Sequence, residues 1–185
     1  MDKTAQKIEV MAIIGLGLIG GSIAKSALKS GFAKHTIGYC PNFAEARMGV
    51  ELGVVHEAAQ SIEQAVSKAD LVVIAVPVKA FESVLREIVP FLKSNVVLTD
   101  VGSVKGCFLN AVRSVFGEVP PFVVPGHPIA GSEKNGVIAA NENLFKHHKV
   151  ILTPSELTDD SALQLVRDLW KMAGSSVIEM AVEHH

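Results

Sequence analysis

The chain has 185 residues, 49% of them hydrophobic and 19% charged, which is enough apolar material for one sizeable core. Its 17 Lys and Arg stand against 19 Asp and Glu, so no basic surplus advertises nucleic acid or an anionic membrane, and any anion must be bound locally. Two cysteines without CxxC spacing, no targeting segment, and apolar runs all shorter than the ~20 residues of a membrane span point to a cytoplasmic protein with no disulfide scaffold, metal framework or anchor.

In chain order, a Val/Ile-rich run at 8–14 reads as a strand and leads into a helix over 18–30. A thin strand at 35–39 precedes a helix over 43–53, a strand at 71–76 a helix over 79–92, and a strand at 96–99 a helix over 103–116. A strand at 122–124 follows, then a helix over 133–145, a strand at 149–152, a helix over 160–173 and a last strand at 175–179. Short β-branched runs alternating with segments of helical period are the pattern of an α/β fold: a doubly wound, mostly parallel sheet of the Rossmann type with helices on both faces. One such domain accounts for the chain.

The first strand runs into "GLGLIGG", which places Gly15, Gly17 and Gly20 in GxGxxG spacing between a strand and a helix. That spacing meets three needs of dinucleotide binding: a tight turn, backbone approach to a pyrophosphate, and close packing of the helix whose N-terminus faces the phosphates. Leu18 and Ile19 belong to the same loop. The carboxylate expected about 20 residues on, which would bond the ribose hydroxyls and favour NAD, is replaced by Cys40 in "GYCPNF". No arginine follows at once to take a 2′-phosphate, and Arg47 lies about a helical turn further on; NAD is favoured and NADP stays open.

Three more strands end in chemistry. "LVVIAVPV" brings Val76 and Pro77, "DVGSVKG" brings Asp100 and Ser103, and "FVVPGHPIAG" brings His127. Ligands of open α/β sheets bind beyond the carboxyl ends of the strands, so these groups are expected in one crevice with the glycine loop. Asp100 suits the task of holding the amides of its turn. Ser103 reads as an N-cap, as a substrate contact, or as both. Glu133 reads equally as the first-turn acid of a helix or as a polar gate. His127 is held toward extended geometry by Pro128, and near its reference pKa of about 6.5 an imidazole can take the proton of an alcohol being oxidised.

The segments "GLGLIGGSIA", "DVGSVKG", "GHPIAGSEKNGVIAANENLF" and "ILTP", in this order, resemble the nucleotide-binding half of the prephenate and arogenate dehydrogenases, over nearly the whole chain. The resemblance implies oxidative decarboxylation of a cyclohexadienol, prephenate or arogenate, in tyrosine biosynthesis. It implies His127 as base for the C4 hydroxyl and Ser103 as a group that orients this hydroxyl or the histidine. It also implies Ser132 and Glu133 as substrate contacts at the entrance, and Gly15, Gly17, Leu18, Ile19, Gly20, Cys40, Val76, Pro77 and Ser103 as cofactor contacts. Members of the family continue into a helical domain that makes their homodimer, so residues 1–180 are expected to be the dinucleotide unit and 181–185 the start of a connection. Two other readings are a β-hydroxyacid dehydrogenase or imine reductase on the same fold, and a non-catalytic cofactor-binding or regulatory module.

Overall fold

Alternate residues of the first strand serve different cores. In β1 (Ile8–Ile14), Met11 and Ile13 pack into one apolar cluster, and Ala12 and Ile14 into another on the opposite face. The same division runs through β4 (Leu71–Ile74), where Leu71 and Val73 face one way and Val72 and Ile74 the other. A strand apolar on both faces is stable only at the centre of a sheet covered twice, which explains why these runs do not alternate with polar residues.

The computed structural model describes residues 7–131 and 133–185. Six strands form the main sheet in the order β3-β2-β1-β4-β5-β6, every pair parallel. Beside β1 and β4 these are β2 (Ala33–Tyr39), β3 (Glu57–Ala58), β5 (Val97–Asp100) and β6 (Val123–Val124). Chain order reverses between β1 and β4, and the first glycine loop opens at that switch point.

One face of the sheet carries α1 (Leu18–Ser30) and α6 (Asp160–Met172); the other carries α3 (Ile62–Val66), α4 (Phe81–Ile88) and α5 (Lys105–Phe116). Between β2 and β3 lies α2 (Phe43–Glu51). Local chemistry sets several of the boundaries. α1 stops at Gly31, whose φ of +69° is the left-handed cap glycine tolerates. α2 starts where the Asn42 side chain accepts from Ala44 N–H, and α6 where Asp159 accepts from Ser161 N–H.

Two expectations are corrected. The segment 133–145 is no helix: a single 3-10 turn at Val137–Ala139 sits among open turns, entered through Gly136 at φ +79° and followed by Asn141, whose side chain accepts from Asn143 N–H. Glycine and asparagine side chains bonded to their own backbone both compete with helix formation. Phe145 ends the segment and meets Trp170 of α6 edge to face at 5.1 Å, which ties it to the core without a helix. The strands at 149–152 and 176–179, moreover, do not extend the main sheet. They form a second sheet of three strands, in which β7 (Gly126–Pro128) pairs antiparallel with β8 (Lys149–Leu152), and β8 pairs parallel with β9 (Ser176–Glu179). Among the described residues no helix is long and apolar enough to cross a membrane.

Candidate functional site

The loop after β1 is shaped by what its glycines leave out. Gly15 stands at φ +99°, and a Cβ on it would lie 2.6 Å from the Ala75 carbonyl oxygen. A Cβ on Gly20 would lie 2.0 Å from the Gly15 oxygen and 2.9 Å from Ala75 Cβ, so α1 closes on its own loop only because both positions are bare. Gly17 differs: a Cβ there would meet nothing within 4 Å, because this residue faces open space. Gly17 is also the N-cap of α1 and offers no side-chain acceptor, so the first amides of a 13-residue helix point out uncapped. Between them Leu16, 2% exposed, buries its side chain under the loop. Gly38 of β2 and Gly49 of α2 make room for it, since a Cβ on either would come within 2.4 or 2.9 Å of Leu16 Cδ1.

The loop forms one wall of a crevice of about 660 Å³. Gly15, Gly17, Leu18, Ile19, Gly20, Cys40, Val76 and Pro77 all line it, so eight of the expected cofactor contacts come together. Ala80, Val84 and Val101 add apolar lining. A bare glycine over an uncapped helix start, next to an apolar trough, fits a ligand that is anionic in the middle and flat at its ends.

At the far end of β2, Cys40 is buried and its Sγ accepts the Leu16 N–H at 3.3 Å. Burial pushes the thiol pKa up against that amide, and the nearby Glu45 carboxylate adds to the rise, so the group is a neutral structural thiol rather than a nucleophile. Glu45, in the first turn of α2, lines the same end of the crevice and was not foreseen from sequence. Arg47 is turned aside, with its guanidinium 3.8 Å from Glu51 on the exposed flank of α2.

The second flank lies past the ends of β5 and β6. His127 sits in β7 opposite Ile151 of β8, half-buried, with Nδ1 2.9 Å from Nε2 of His185. Burial pulls its pKa below the ordinary 6.5, and His185 and Lys105 add to the fall. Against the preceding Gly126 lies an ion pair: Asp100 is 0% and Lys105 1% exposed. Asp100 accepts from Gly102 N–H at 2.9 Å, from Gly126 N–H at 3.1 Å and from Lys105, while Lys105 also donates to the Gly126 carbonyl at 2.6 Å. Burial pushes Asp100 up and Lys105 down in pKa, and their mutual contact opposes both. Three donors converge on the carboxylate, which is the environment of an anion, and we assign the pair as ionised. Asp100 thus does hold turn amides, whereas nothing in the sequence marked Lys105 as buried.

Ser103 is exposed and does not cap α5, because the N-cap is Val104 and the helix begins at Lys105. Neither Ser103 nor His127 lines the 660 Å³ crevice; Gly102 and Ala130, beside them in sequence, do. Glu133 is exposed and starts no helix, which removes its reading as a first-turn acid, and Ser132 lies outside the described residues. Among the described residues no three His, Cys, Asp or Glu gather as they would around a metal ion.

Known proteins share this arrangement. The family model described as the prephenate dehydrogenase nucleotide-binding domain matches residues 23–179, starting just after the glycine loop. The cyclohexadienyl dehydrogenase of Zymomonas mobilis is 36% identical over 95% of this chain. The crystal structure of Aquifex aeolicus prephenate dehydrogenase with hydroxyphenyl propionate and NAD+ superposes with a TM-score of 0.87 at 36% identity, covering 100% of this chain and 63% of that one. Synechocystis arogenate dehydrogenase gives the same TM-score of 0.87 at 28% identity, over 95% of this chain and 61% of that one. The chain spans 59% of the length of the Zymomonas mobilis enzyme and 48% of that of the Bacillus subtilis prephenate dehydrogenase, to which it is also 36% identical. With its family model covering most of the described fold and its glycine crevice in the expected place, the chain belongs to the prephenate dehydrogenase family and contains that family's nucleotide-binding domain.

Proposed function

We propose that this chain is the cofactor-binding part of an NAD-dependent dehydrogenase that oxidatively decarboxylates prephenate to 4-hydroxyphenylpyruvate, or arogenate to tyrosine. The observation that carries the reading is His127, held on a separate small sheet beside a crevice suited to a dinucleotide. When bound, the nicotinamide supplies an acceptor for the hydride that leaves ring C4.

The residues of this chain supply the rest. His127, kept neutral by burial, takes the proton of the C4 hydroxyl as that carbon becomes a carbonyl; the ring carboxylate then departs as carbon dioxide, its bonding electron pair passes through the ring to the carbonyl oxygen, and the resulting aromatic phenolate takes up a proton. Ser103, exposed next to the crevice, orients the hydroxyl or the imidazole, and Ser132 and Glu133 contact substrate at the entrance. Stiff placement matters because the imidazole must face the oxygen while the cofactor faces the carbon.

Cofactor preference follows from the end of β2. Glu45 lines the crevice and Arg47 leans to Glu51, so a 2′-phosphate would meet a carboxylate and no free guanidinium. This supports NAD, with modest discrimination because Cys40 leaves the usual rejecting carboxylate out. The reading also takes residues 1–180 as the dinucleotide unit and 181–185 as a connection to a helical region that makes the homodimer, and places the enzyme in the cytoplasm.

The test is to assay the 185-residue chain and a chain extended through the region its relatives carry beyond it, with prephenate and arogenate and with NAD and NADP. Substrate-dependent NADH formation by the extended chain is expected. A chain that binds NAD but forms none with either substrate points to a cofactor-binding or regulatory module instead.

A further inference from the structure

A lysine ammonium shut away from water at the first residue of a helix is an arrangement that stability alone disfavours. Lys105 opens α5, where the helix presents the positive end of its dipole, and it is 1% exposed. Burying an ion pair costs desolvation that mutual attraction only offsets when further hydrogen bonds are supplied, and well-packed apolar residues are often as stable. The gain from this pair is geometric. Asp100 and Lys105 engage both backbone polar groups of Gly126, the residue before His127, and Asp100 also holds the Gly102 amide, the residue before Ser103.

We infer that Lys105 is a positioning residue, which with Asp100 clamps the strand carrying His127 to the turn carrying Ser103 and so sets the place and the charge of the imidazole. The inference rests on the reading of His127 as the base. Gly126 admits this clamp because it has no side chain: a Cβ would lie 3.1 Å from the Asp100 carbonyl oxygen and 3.3 Å from Leu152. Among the described residues, Lys105 from α5 and His185 from the C-terminal turn act on the charge of His127, and Asp100 from the end of β5 bonds the preceding Gly126. A fixed cation nearby disfavours the imidazolium and keeps the base free to accept a proton.

The discriminating variant is Asp100→Asn with Lys105→Met, which removes both charges and leaves no lone buried ion. In the 185-residue chain, imidazole NMR across pH 5 to 9 is expected to show the His127 midpoint moved to higher pH. In the extended chain kcat is expected to fall by about 10²-fold, the scale of a misplaced reacting group. KM and NAD affinity should hold within about twofold, the acid limb of kcat should move to higher pH, and Lys105→Arg should recover part of the rate. An unchanged His127 midpoint with unchanged kcat overturns the inference. So does a double variant that fails to fold, because the pair would then be a requirement of the fold rather than of the site. His127→Asn measured alongside separates the two ideas: if it keeps turnover and the acid limb, the base is misassigned, while the NMR midpoint still reports on the clamp.

Discussion

The two flanks of the crevice are built on opposite plans. The cofactor flank is made of omissions: Gly15, Gly17 and Gly20 leave space, and the groups on offer are backbone amides. The flank with His127 is made of side chains on a three-stranded sheet of its own, pinned to the main sheet by a buried ion pair. At Gly15 and Gly20 the first flank has no room for an added atom, whereas the second depends on the side chains it carries. Binding and rate are therefore separable properties of this fold.

The largest effect should come from adding atoms to the first flank. Gly20→Val is expected to lose both dinucleotide binding and melting temperature, since its side chain would have to occupy the position of the Gly15 carbonyl. Gly17→Val is expected to lose binding with the melting temperature intact, because the space around it is empty. Calorimetry with NAD and thermal melting of both variants check the pair; equal losses of stability would erase the distinction between a turn glycine and a ligand-facing one.

Next in size is a lost atom on the second flank. His127→Asn in the extended chain is expected to lower turnover by roughly 10²- to 10⁴-fold, the range for a positioned base, with NAD affinity unchanged. The parent should lose activity as pH falls through a histidine pKa below the ordinary 6.5, and the variant should lose that dependence. Near-parental turnover with the acid limb kept would make His127 a structural residue.

The same depression has a smaller consequence for stability. The imidazole is harder to protonate in the folded chain than in the unfolded one, so its contribution is complete above pH 6.5 and is lost as pH drops below that value. Melting curves at pH 5.5 and 7.5 should therefore differ less for His127→Asn than for the parent. Smallest is Glu45→Gln, expected to raise NADP affinity relative to NAD by less than about tenfold, or 1.4 kcal/mol. No change in the ratio would leave cofactor choice to the loop backbone.

The first flank was legible in the sequence because its rules are short-range. "GLGLIGG" after an apolar run specifies strand, turn and helix, and β1 and α1 fall on their expected ranges of 8–14 and 18–30. The second flank depends on partners that periodicity does not name. Runs at 149–152 and 175–179 read as strands, and strands form at Lys149–Leu152 and Ser176–Glu179, yet nothing local says that they pair with each other and with Gly126–Pro128 instead of joining the main sheet. The apolar spacing of Val137, Ala140, Leu144 and Phe145 imitates a helix, and Asn135-Gly136 was the signal against it. The short α3 is too brief to show a period, although its cap is visible in the residues: Ser61 accepts from Gln64 N–H, and the Gln64 side chain accepts from Gln60 N–H. Lys105 looked like any lysine near a helix start, since burial of a charge is a tertiary fact.

Leu16 has a kinetic consequence. Its side chain is sunk between β2 and α2 and its amide is taken by Cys40, so the loop is seated before any dinucleotide arrives. A seated loop loses little conformational freedom when a ligand binds. Mixing NAD with this chain should accordingly give one bimolecular phase, linear in concentration, with no slower concentration-independent step in which the loop arranges itself around the phosphates.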